Sequence, residues 1–101
     1  MSAARNSVKN AGGIMIQRPS PETLETLKVK TWPVWEKEIS EFNWHYDGRE
    51  ICFLLEGEAV VSTADGEVRF GQGDLVTFPK GLHCTWKIHK PVRKYYCFPP
   101  D

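Results

Sequence analysis

What this 101-residue chain lacks narrows its nature more than what it holds in quantity. It has no surplus of either charge, since 13 Lys and Arg stand against 13 Asp and Glu. A nucleic-acid groove needs a basic excess on one face, so no nucleic-acid partner is expected. No apolar run approaches the roughly 18 residues of a membrane span, and no membrane partner is expected. Cysteine is sparse and odd in number, and Cys52, Cys84 and Cys97 form no C-x-x-C pair. A disulfide framework would leave one of them unmatched, so reduced thiols and a cytoplasmic location are the reading. Residues 1–13 carry Arg5 and Lys9 but no apolar stretch, and read as a disordered segment rather than a secretory signal. Solenoid repeats and low-complexity tracts are missing as well. A chain this short can build one core, which places a single domain over 14–101.

What is present is punctuation. Ser20-Pro21-Glu22 is a helix start: Ser caps, Pro takes the first position and Glu complements the dipole. Leu24 and Leu27 then share one face of a helix of about two turns, the only helix expected. From Val29 the apolar period becomes two, with Phe42, Trp44 and Tyr46 alternating against Asn43, His45 and Asp47. Asp47-Gly48 is a tight turn, Asp65-Gly66 a hairpin turn, and Gly71, Gly73 and Pro79-Lys80-Gly81 mark further corners. Glu56-Gly57-Glu58 bends one apolar strand into the next, and Pro91 is expected to break another. Many short strands at near-regular spacing predict an all-β sandwich or barrel.

Two stretches have fixed internal spacing. Glu50 is followed after six residues by Gly57; Gly73 is followed after five by Pro79-Lys80-Gly81, and this after two more by Cys84. These are the spacings of the two cupin motifs, and the chain resembles a small single-domain cupin. More narrowly it is similar to the cupins grouped with the cupin domain of (S)-ureidoglycine aminohydrolase. That likeness is carried by Trp32-Pro-Val-Trp-Glu-Lys-Glu38, Phe42-x-Trp-x-Tyr46, Glu50-x-Cys-x-x-Leu-Glu-Gly57, Gly73 to Leu82, Cys84-x-Trp86 and Pro91-Val-Arg-Lys94. The resemblance implies a double-stranded β-helix, a jelly-roll-like barrel with one short N-terminal helix. It also implies a metal on the motif residues, usually two histidines and a glutamate from the first motif and a histidine from the second. Here Trp44 and Tyr46 occupy the first two positions on the three-residue spacing, and Cys84 the last. Alternation puts Trp44 and Tyr46 inside and His45 outside.

The expected centre is therefore an interior pocket of Trp44, Tyr46, Glu50, Cys84 and Trp86. A carboxylate among aromatic rings is costly unless it is paired, and Glu50 is the candidate hydrogen-bond acceptor or general acid/base. No cofactor is expected; were a metal held, Glu50, Cys84 and Cys52 would be its ligands. Arg93 and Lys94 are taken as exposed charges, and Trp32, Trp35 and the strand near Ile14 as surface for a homodimer. The leading reading is a cupin that binds an unidentified small molecule. The alternatives are a metal-assisted hydrolase or isomerase of a small nitrogenous or sugar-like metabolite, or a ligand-free dimeric interaction module. On the leading reading, Glu50→Gln should harm ligand binding more than folding.

Overall fold

The corners read from Gly, Pro and Asp are where the chain turns, and among the described residues they separate seven strands. The computed structural model describes residues 11–100. Strand β1 (Met15–Gln17) precedes helix α1 (Pro21–Leu27) and is followed by β2 (Val34–Lys37), β3 (Ser40–His45), β4 (Glu50–Thr63), β5 (Gly66–Gly71), β6 (Leu75–Phe78) and β7 (His83–Cys97). Helix α1 starts as its cap demands, with the Ser20 hydroxyl accepting from the Thr23 N–H at 3.2 Å. Leu24 and Leu27 both lie half-buried on its inner face. The period-two pattern expected from Val29 begins later. Val29–Thr31 is a 3-10 turn, held by the Thr31 hydroxyl donating to Lys28 O at 2.6 Å and by buried Val29.

All pairing is antiparallel, and two strands dominate it. The first half of β4 pairs with β6, and the last part of β7 pairs with β2. The second half of β4 pairs with β5, and the first half of β7 pairs with β3. Along most of their length β4 and β7 pair with each other, from Ile51 opposite Cys97 to Ser62 opposite Thr85. The sheet thus folds over into two layers that share β4 and β7, the double-stranded β-helix of the cupin. The expected break at Pro91 does not occur, because Pro91 lies within a continuous β7 opposite the bulges of β4 between Leu54 and Ala59. Proline is tolerated there since the ladder is already interrupted.

The layers close on an aromatic core. Tyr46 stacks on Phe78 with ring centroids 4.7 Å apart, and Trp86 meets Phe78 at 5.7 Å and Phe70 at 5.3 Å. Leu54, Ala59, Val61 and Val76 fill the remaining space with no exposure. The folded body reaches back before residue 14: Ala11 is buried and its carbonyl accepts from the Ile14 N–H at 3.2 Å. The rest of the segment read as disordered, 1–10, lies outside the described residues. Part of the surface foreseen for pairing lies in or against the core. Ile14 is fully buried, Trp35 packs against the core, and the exposed apolar side chains on β1 and β2 are Met15 and Val34. No helix among the described residues is long and apolar enough to cross a membrane.

Candidate functional site: an aromatic cavity with a buried ion pair

The turn after β3 sets the floor of a cavity. The Tyr46 N–H donates to Leu82 O at 2.9 Å and the Gly81 N–H to Tyr46 O at 2.7 Å, so the 46 and 81–82 turns lock together. Tyr46 is driven inward, only 2 % exposed, and its hydroxyl accepts from Trp86 Nε1 at 3.2 Å. Trp44 and Phe42 lie on the same face two and four residues earlier, and all three line one cavity of about 210 Å³. His45 points the other way, stacking on His83 at 4.1 Å with its Nδ1 3.1 Å from Asp47. Trp44 stands further out than expected, 48 % exposed at the mouth.

Glu50 opens β4 opposite Phe78 and is buried. Its hydrogen-bond partner among the described residues is an ammonium and not an indole or phenol: Lys94 Nζ donates to its Oε2 at 2.8 Å. Lys94, read from sequence as an exposed charge, is the buried partner. Its ammonium stands 4.9 Å from the ring centroids of both Trp35 and Trp86, within the reach of cation–π attraction. Burial works against this charge, the Cys52 sulfur (once ionised, in alkali) and the Glu50 carboxylate work for it, and the balance raises the Lys94 pKa. A sequence signal for Lys94 existed, because Val92, Lys94 and Tyr96 share one face of β7 and Val92 is apolar. Trp35 also belongs to this wall, and Tyr96 and Phe98 complete the rim.

Trp44, Tyr46, Glu50 and Trp86 therefore meet around one space. Cys84 is not in its lining; it is buried beside the shallower depression of Asn43, His45 and Thr85. Burial pushes its thiol up to about 11. Cys52 is fully buried, and desolvation, opposed by Lys94, lifts it to about 12, so both remain thiols near neutral pH. Burial first and the Glu50 charge second hold the Tyr46 phenol far above its usual range. The ligand set Glu50, Cys52 and Cys84 does not fit a metal. Among the described residues no three His, Cys, Asp or Glu side chains gather as a metal site, and the glutamate is held by an ammonium.

A structure of a DUF861-family protein from Thermotoga maritima is 53 % identical, covers 85 % of this chain and 99 % of its own, and superposes with a TM-score of 0.83. The EutQ protein of Clostridium difficile is 20 % identical with a TM-score of 0.60, covering 99 % of this chain and 80 % of that one. A Rhizobium leguminosarum structure of unknown function reaches 0.62 at 22 % identity, covering 92 % of this chain and 76 % of its own. These last two likenesses speak for the fold alone. No curated protein matches the chain. Residues 24–96 match the family model described as the EutQ-like cupin domain, and the chain belongs to that cupin family.

Proposed function

We propose that the chain is a small-molecule-binding cupin whose ligand enters the aromatic cavity and is oriented by the groups at its floor. One observation carries this reading: a buried ion pair, Glu50–Lys94, is set at the end of an apolar cavity whose mouth residues Trp44 and Phe98 are half in solvent. Concave, mostly apolar spaces with a few convergent polar groups are the usual form of ligand sites. A purely structural core would have closed over the pair or replaced it with apolar side chains, which is often neutral or stabilising.

The finer resemblance, to the cupin domain of (S)-ureidoglycine aminohydrolase, would bring metal-assisted chemistry with it. The donor set around Glu50 gives that reading no support. Binding is tested by following the indole N–H signals of Trp35 and Trp86 by NMR while a panel of single-ring compounds is added. Shifts confined to the cavity residues are expected. Trp44→Ala should weaken the best binder about tenfold, the upper worth of one aromatic contact. A panel that leaves both indoles unmoved at millimolar concentration would remove the cavity as a ligand site.

A further inference from the structure

The aromatic cage in this cavity already holds a cation of its own. Lys94 Nζ is committed to Glu50 Oε2 at 2.8 Å and to the faces of Trp35 and Trp86 at 4.9 Å each. That leaves two polar functions with capacity to spare. Glu50 Oε1 has no hydrogen-bond partner among the described residues. The Tyr46 hydroxyl accepts from Trp86 Nε1, and its own proton has no acceptor among the described residues. One offers an acceptor and the other a donor, and both belong to the lining of the same cavity.

Resting on the reading of this cavity as a ligand site, we infer that its ligand class is a small uncharged molecule. It has one flat apolar ring and a polar end that both donates, to Glu50 Oε1, and accepts, from the Tyr46 hydroxyl. A primary amide or an alcohol has this pattern. The charge balance of the site selects it. An ammonium ligand would compete with Lys94 for a carboxylate and two ring faces that are already taken. A carboxylate ligand would sit beside the Glu50 oxygen that no cation covers, and it would lose its hydration for a single phenolic donor. Either ion would be desolvated without a counter-charge of its own. A neutral amide loses little hydration and satisfies both free functions. Size agrees: about 210 Å³ is below the roughly 300–1,000 Å³ usual for drug-sized ligands.

The test uses three single-ring probes of similar shape, benzamide, benzylammonium and benzoate, titrated into the full chain near neutral pH with the Trp86 indole N–H as reporter. Benzamide is expected to bind at least tenfold more tightly than either ion. Tyr46→Phe, which keeps the ring stacked on Phe78, should cost benzamide about fivefold or more in affinity. Tighter binding of benzylammonium would overturn the inference by showing that Lys94 yields its cage. Tighter binding of benzoate would overturn it by showing that Lys94 turns its charge outward. Both of those results leave the cavity as a ligand site. Absence of any shift with all three probes would overturn that underlying reading instead.

Discussion

The pairing of Glu50 with Lys94 reverses what substitution at Glu50 should do. Read from sequence, an inward carboxylate with no cation would lose little on becoming neutral, so Glu50→Gln would spare the fold. With both side chains of the pair 6 % exposed, the same change strands a buried ammonium. Breaking a buried pair from one side costs about 3–5 kcal/mol, and urea denaturation of Glu50→Gln should show a loss of that size. Replacing both members, Glu50→Leu with Lys94→Met, should recover most of it, because neither charge is left unmatched. A single variant as stable as the parent would mean that Lys94 finds water. Glu50 was legible because motif spacing and alternation agreed on its inward direction. Lys94 was missed, because a lone lysine defaults to the surface and, although its face of β7 could be read, nothing local marks its partner 44 residues earlier. Cys84 had the motif position but not the cavity, since spacing fixes a strand position without fixing how far along the barrel the space extends.

Gly57 decides how β4 and β7 bend together. Its φ is +106°, and a Cβ there would lie 2.5 Å from Pro91 O and 2.7 Å from the Val92 Cα. Those are backbone atoms of the paired strand, and they cannot step aside without breaking the ladder. Gly57→Ala should therefore cost on the order of 3 kcal/mol or more, among the larger effects of single substitutions. Gly81 separates strain from collision, having φ +87° but open space around its Cβ position. Gly81→Ala should cost only the left-handed penalty, about 1–2 kcal/mol. At Gly48, which has neither constraint, Ala should fall within about 0.5 kcal/mol of the parent. Urea midpoints out of that order would contradict the assignment of Gly57 to backbone approach. The places where the chain turns were readable from Gly, Pro and Asp. Their meaning at 57 and 91 was not, because a glycine that ends a strand and one that bends it look alike until the partner strand is known.

For the molecule as a whole, the buried groups set its behaviour in alkali. Cys52, raised from 9.0 to about 12, and Cys84, raised to about 11, hold their protons more tightly folded than unfolded. Tyr46 and Lys94 are shifted in the same direction. The folded state thus binds more protons above the unfolded thiol value, and stability falls as pH rises from there. Below it these groups are protonated in both states and contribute no slope. Cys52 alone should remove about 2–3 kcal/mol between about pH 9 and about pH 11, readable as a falling midpoint in chemical denaturation. A flat profile across that window would show the thiols to be far less desolvated than their burial implies. The sharing of β4 and β7 between both layers has a consequence of its own. Neither layer owns a complete set of strands, so neither can come apart while the other survives. Slow amide exchange along both strands should consequently report a single opening event, and the molecule has no subunit of structure smaller than itself.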